Sequence, residues 1–238
     1  MEVRIATGRE ELQRAYRLVY TAYRAHGYLE PHPAQIRYRS DYALAGSRTL
    51  LAVSSADGVV GTATVISDGE RGLPMESGFA EEVQQLRSEG RGLLEVVSFA
   101  IPSSKRMHAR EVFFRLTRFV LQYARWRQID DVVIAVHPRR TRMYCVKLPF
   151  RLFGSCRPYG TVCGHPAVAC RFELRNLEAY RETHPRLYEQ YLGETIPAGQ
   201  FSRPAMSADD RAYFRRLMSS GDGPPQAGID PIDFARPA

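Results

Sequence analysis

The chain has 238 residues and a formal charge of +7, with 44% hydrophobic and 25% charged residues. That length fits one large domain with a full core, and the composition excludes a collagen, a coiled coil and a wholly disordered chain. The longest apolar runs, such as Val132 to Val136, fall far short of the ~18 residues a membrane-spanning helix needs, and the first residues carry no secretory apolar stretch.

The chain opens with a short strand, Val3 to Ala6, followed by Thr7 with Glu10 three residues on, the spacing of a capping box. Leu12, Tyr16, Val19, Tyr20 and Tyr23 then recur at helical spacing until Gly27 stops the helix. After a loop rich in Pro, His and Tyr, two β-rich runs flank Ala56, Asp57 and Gly58, which predicts an antiparallel hairpin. Residues 69–92 read as an insertion carrying one short helix, with Phe79, Val83 and Leu86 on one face. Leu93 to Ile101 is almost continuously apolar, as a strand covered on both faces would be, yet it holds Glu95.

Pro102 and a polar stretch lead into an amphipathic helix that turns Val112, Leu116, Phe119, Val120 and Tyr123 inward. A buried strand follows and ends at His137 and Pro138; then come a short helix around 142–147 and a strand pair at about 152–174. Pro185 interrupts the helical pattern of 177–192. The order predicts an α/β (α+β) fold, a mixed sheet with helices on both faces, spanning 1–195. A C-terminal extension with a short helix is expected over 196–218, and a disordered tail over 219–238.

Of the 33 basic residues only Lys105 and Lys147 are lysines. Net positive charge permits nucleic acid, anionic lipid or an acidic protein as partner; the interleaved aromatic and basic face of a single-strand binder is missing, so nucleic acid is not expected. Cys145, Cys156, Cys163 and Cys170 lack the spacing of a zinc site and sit in apolar stretches, which reads as buried thiols in a reducing cytosol, with no metal.

A carboxylate inside an apolar strand must be paired, neutral or used. Burial raises a carboxyl pKa toward neutrality, which suits a general base that deprotonates an ammonium nucleophile. The alternative for Glu95 is a structural partner of one of the many arginines. Tyr144 lies on the short helix near the end of the Glu95 strand, where a phenol can protonate a departing thiolate or can simply be a half-buried aromatic. His137 ends a strand, a position that faces the ligand crevice of open sheets, although a lone histidine also serves as a cap. Ser104, Lys105, Arg106, His108 and Arg110 lie just before or at a helix start, where phosphate oxygens meet N–H groups and positive charge, or where a basic loop is merely solvated.

The order of elements resembles the GNAT acyltransferase fold. The strings YRLVYTAYRAHGYLEP, GLPMESGFAEEVQQLRSEGRGLLEVVSFAI, FFRLTRFVLQYARWRQIDDVVIAVHPRR and MYCVKLPFRLFGSCRPYGTVCGHPAVACRFEL resemble the FeeM-like N-acyl amino acid synthases, relatives of the acyl-homoserine-lactone synthases, over about residues 3–175. The resemblance implies a bacterial, cytoplasmic enzyme that moves a long-chain fatty acyl group from the phosphopantetheine arm of an acyl carrier protein, or from acyl-coenzyme A, to an amino-acid α-amine, with no bound cofactor. It implies Glu95 as base and Tyr144 as acid. The chain departs from the family at His137-Pro138-Arg139-Arg140, where Asn-Pro-Arg/Lys-His is usual, and at Met143, where Phe is usual; both fall on the amine side of the pocket.

Acetyltransferases of this fold wrap the pyrophosphate of coenzyme A in a Gly-rich loop after the fourth strand. SSKRMHARE has no glycine and offers a basic surface for an acidic carrier protein instead. The acyl arm would pair along Val97, Ser98, Phe99, Ala100 and Ile101, with Phe79, Val83 and Leu86 as acyl pocket or as plain core. A related acyltransferase with another acceptor and a non-catalytic basic module are the competing readings.

Overall fold

The computed structural model describes residues 1–102, 108–204 and 206–219. The strands are β1 Glu2–Ile5, β2 Ser47–Ser54, β3 Gly58–Ser67, β4 Leu93–Ala100, β5 Asp131–Val136, β6 Arg151–Leu152, β7 Arg157–Pro158 and β8 Pro166–Glu173. The helices are α1 Arg9–Ala25, α2 Glu76–Ser88, α3 Ala109–Trp126, α4 Pro138–Lys147, α5 Leu177–Thr183, α6 Pro185–Tyr188 and α7 Ala208–Ser219. The sheet runs β1-β2-β3-β4-β5-β8-β6, with β7 also on β8. Among the described residues β4 and β5 make its parallel pair; the other pairings are antiparallel.

Each face of the sheet buries its own layer. One packs α3 through Val112, Leu116, Phe119, Val120 and Tyr123 against Leu94, Val96 and Ile134. The other packs α1 and α2 through Leu12, Tyr16, Phe79, Val83 and Leu86 against Leu51, Leu93 and Val97. Helices on both faces are what the apolar periodicities predict, because each helix has one apolar stripe that only a sheet face can cover. Gly61 lets α3 approach β3: a Cβ there would stand 2.3 Å from the Val112 Cγ1.

Several local details differ from the sequence reading. The first helix starts one residue later than a Thr7 cap requires. Its N-cap is Gly8, and the carboxylate that reaches back is that of Glu11, which accepts from the Thr7 N–H at 2.7 Å and pairs with Arg4. Those contacts pull the Glu11 pKa down to about 2, with the Arg4 bond the leading cause. The closing strand pair is broken: β8 is continuous, but its partner chain is split into β6 and β7 by Gly154 and Ser155.

Cys145, Cys156 and Cys163 are exposed and only Cys170 is buried, which corrects the reading of four buried thiols. Apolar neighbours mislead there because Cys145 lies on the outer side of α4, Cys156 in the link between β6 and β7, and Cys163 in a turn. The C-terminal extension is pinned to the body: Phe201 packs 5.1 Å from Phe119, and Phe214 of α7 packs 5.1 Å from Tyr16. The tail expected to be disordered lies, beyond Ser219, outside the described residues. None of the described helices is long and apolar enough to cross a membrane.

Candidate active site

The site is built around the place where β4 and β5 part. Their parallel register runs from Leu93–Asp131 through Glu95–Val133 and stops. β5 continues against β8 to Val136–Val168, while β4 continues against β3 to Ala100–Thr62. A notch therefore opens between Val96 to Ala100 on one strand and Ile134 to Val136 on the other. Ser98 sits in it with φ 52°, a left-handed backbone that shifts the alternation of side chains. Leu94, Val96 and Phe99 face α3, whereas Leu93 and Val97 face α1 and α2, which puts Glu95 on the α1/α2 side by strand alternation.

Glu95 is fully buried, and its Oε2 accepts the Met75 N–H at 2.9 Å. That donor is the backbone at the start of α2, so the segment read as an insertion supplies a wall of the site. The N-terminal end of a helix favours negative charge beside it. Tyr159, from the turn between β7 and β8, is also buried and lies on the same side, 5.6 Å ring to ring from Phe79. Gly78 makes that approach possible, since a Cβ would come within 2.7 Å of the Tyr159 ring. Burial first, and the nearby charge of Glu95 second, push the Tyr159 hydroxyl far above its ordinary pKa, so it stays a neutral donor.

Across the notch, Tyr144 projects from α4 into the α3 layer. It is 2% exposed and meets Phe113 and Phe150 edge-on at 6.2 and 5.5 Å. Val96, Phe99, Phe113, Ile134, Tyr144 and Phe150 border an apolar cavity of about 20 Å³ there, roughly one water in size. His137 caps α4: its Nδ1 accepts the Arg139 N–H at 3.2 Å. Burial, with Arg139, His165 and Arg140 nearby, lowers its pKa and leaves the ring neutral at pH 7.

Among the other residues singled out from the sequence, Val97, Ser98, Phe99 and Ala100 line the β4 side of the notch, and Ile101 follows directly. His108 is the N-cap of α3 and Arg110 lies in its first turn, both exposed; Ser104, Lys105 and Arg106 lie outside the described residues. Phe79, Val83 and Leu86 are at most 3% exposed and belong to the buried layer under α1 and α2.

Three contributors were not found from the sequence. They are Tyr159, the Met75 N–H and the segment Arg37 to Tyr42, which is held against β4 by a Tyr42 hydroxyl bond to the Ser98 Oγ. The available signal for the last was a loop with aromatic and arginine residues alternating, in which Ile36, Arg37 and Tyr42 prove to be buried.

The family model for the N-acyl amino acid synthase FeeM matches residues 14–173. Among solved structures, FeeM itself, an N-acyl amino acid synthase from uncultured soil microbes, is 30% identical with a TM-score of 0.63, covering 80% of this chain and 94% of its own. The acyl-homoserine-lactone synthase LasI (15% identity, TM-score 0.57, 82% and 95% coverage) and the coenzyme A-dependent acyl-homoserine-lactone synthase BjaI (15%, 0.53, 90% and 100%) share the fold. A comparison with curated protein sequences gives no match. With a GNAT-like sheet that parts beside a buried glutamate, the chain belongs to the FeeM family of N-acyl amino acid synthases and is an N-acyltransferase.

Proposed function

We propose that the enzyme transfers a long-chain acyl group from the phosphopantetheine thioester of an acidic acyl carrier protein to the α-amine of an amino acid. The observation that carries this is the notch itself, with Glu95 on one face of the sheet and Tyr144 on the other. A thioester threaded between β4 and β5, paired to the main chain of Val97 to Ile101, would meet a base from one side and an acid from the other.

Glu95 takes a proton from the incoming ammonium, directly or through a water, and the amine attacks the thioester carbonyl. The C–N bond forms, the C–S bond breaks, and Tyr144 gives its proton to the departing thiolate. The nitrogen sheds its second proton, which restores Tyr144 by way of solvent, so the turnover yields amide, free thiol and one net proton from the ammonium. His137 holds α4, and with it Tyr144, as a neutral cap. The first acyl carbons would lie by the apolar side chains beside Tyr144; Phe79, Val83 and Leu86 are the further candidates for the acyl pocket, and Phe79 also backs Tyr159.

The carrier would dock at His108 and Arg110 and at the adjoining Ser104, Lys105 and Arg106, whose stretch lacks the glycines of a pyrophosphate loop. The enzyme would work in the cytoplasm, a reducing compartment in which its four thiols stay free. Thiol release from dodecanoyl-acyl carrier protein, with a mixture of amino acids as acceptor, should exceed that from acetyl-coenzyme A by at least about tenfold, and mass spectrometry should find acylated amino acids. Equal or faster turnover of acetyl-coenzyme A would overturn the donor assignment. Tyr144→Phe should lower kcat about 10- to 100-fold on alkyl thioesters and less on an aryl thioester, whose thiolate leaves unprotonated; an equal loss on both donors would remove its acid role.

A further inference from the structure

Resting on that proposed reaction, we infer that Arg39 receives the α-carboxylate of the acceptor amino acid and thereby selects amino acids over simple amines. An amino acid at neutral pH carries two opposite charges. Glu95 answers the ammonium; the carboxylate needs a cation on the same face of the sheet, and in a site this buried an unpaired carboxylate would be costly.

Arg39 has the required properties. Its side chain is 9% exposed. Its Nε and Nη2 both hold Asp41, the former at 3.0 Å, which fixes the plane of the guanidinium. The remaining nitrogen, Nη1, is buried and has no hydrogen-bond partner among the described residues. A cation immobilised on one edge and unsatisfied on the other is preorganised for an anion, since little rotamer freedom is left to lose on binding.

Its place fits as well. Arg39 directly precedes the 3-10 turn Ser40–Ala43, whose Tyr42 is bonded to Ser98 of β4. The Tyr159 hydroxyl feels both the Arg39 charge and the Glu95 charge. Two other arginines on this face are engaged elsewhere. Arg157 donates to the Gly78 carbonyl and to Glu82 and stacks over Phe79, and Arg37 lies over the Tyr23 ring at 5.2 Å.

The test uses the full chain with a dodecanoyl-pantetheine thioester and, as acceptors, the amino acid identified from the mixture and its carboxamide. Wild type should favour the amino acid. Arg39→Gln should raise the KM for the amino acid about 10- to 100-fold, the usual weight of a charge-assisted bond, and leave the KM for the carboxamide and for the donor within about twofold. Arg39→Lys should recover part of the loss. Retained preference for the amino acid in Arg39→Gln, or equal loss on both acceptors, would overturn the inference.

Calorimetry with the amino acid alone separates this from the transfer reaction. Arg39-dependent binding without acyl transfer would keep the carboxylate site and sink the reaction, whereas acyl transfer with Arg39-independent binding would do the reverse.

Discussion

Glu95→Gln should lower kcat by about 100-fold or more at pH 7 while leaving the fold and the thermal midpoint close to wild type. The amide is isosteric, and its oxygen can still accept the Met75 N–H that the carboxylate accepts at 2.9 Å. It removes a charge from a fully buried position, so no uncompensated ion is left behind. What it cannot do is take the ammonium proton. Raising the pH supplies free amine and should recover part of the rate, so the ratio of wild-type to variant kcat should shrink from pH 7 to pH 9. An unchanged rate at pH 7 would make Glu95 a structural partner of the α2 N-terminus. A lost rate with an unfolded variant would point the same way, and circular dichroism distinguishes the two.

Glu95 was legible in the sequence because one charged residue interrupts an otherwise apolar strand, and a local contrast of that kind survives without any structural information. The helices were legible because their signals are periodic and short-range, whereas Tyr144 was singled out by its place on the short helix after a strand end and by the family resemblance. The notch was not. It depends on where the β4–β5 register stops and on a non-glycine residue, Ser98, in a left-handed conformation, and neither leaves a compositional mark.

Tyr159 lies 64 residues from Glu95 in the chain and comes under its charge only through tertiary packing, and Arg39, 56 residues from Glu95, is brought toward Tyr159 in the same way. The insertion was visible in part. Its helix pattern was visible over Phe79, Val83 and Leu86, whereas the role of its first turn as a hydrogen-bond donor belongs to a backbone atom that no side-chain pattern reveals. His137 shows the converse: of its two readings the cap is the one visible as a bond, Nδ1 accepting the Arg139 N–H.

The closed end of the notch carries the largest stability prediction. Asp131, the residue opposite Leu93 at the last stretch where β4 and β5 remain joined, is wholly buried, and Arg91, 10% exposed at its side chain, binds it through Nε and through Nη2, the latter at 3.0 Å. Burial raises the Asp131 pKa and the Arg91 bond opposes it, so the carboxylate tolerates its position because the guanidinium is there. Arg91→Met should therefore cost about 3–5 kcal/mol of unfolding free energy, since it strands a buried charge. Asp131→Asn in the same background should return much of that, because the uncompensated charge is then gone.

The pH dependence gives the sign. In Arg91→Met the opposing bond is lost, so the raised Asp131 pKa of the folded state rises further above its unfolded value near 3.8. A folded carboxyl with a raised pKa is destabilising wherever it must ionise, so the deficit relative to wild type should be smallest near pH 4 and grow as the pH rises toward 7. Urea denaturation of the wild type and the two variants at pH 4 and pH 7 measures this directly, and a deficit that does not change with pH would mean that Arg91 acts through packing rather than by compensating Asp131. Kinetics follow from the same geometry. The register that Arg91 and Asp131 close is the one that ends at Glu95, so a loosened pair should reduce kcat in proportion to the misplacement of Glu95 against Tyr144, while a variant that restores neutrality should recover rate and stability together.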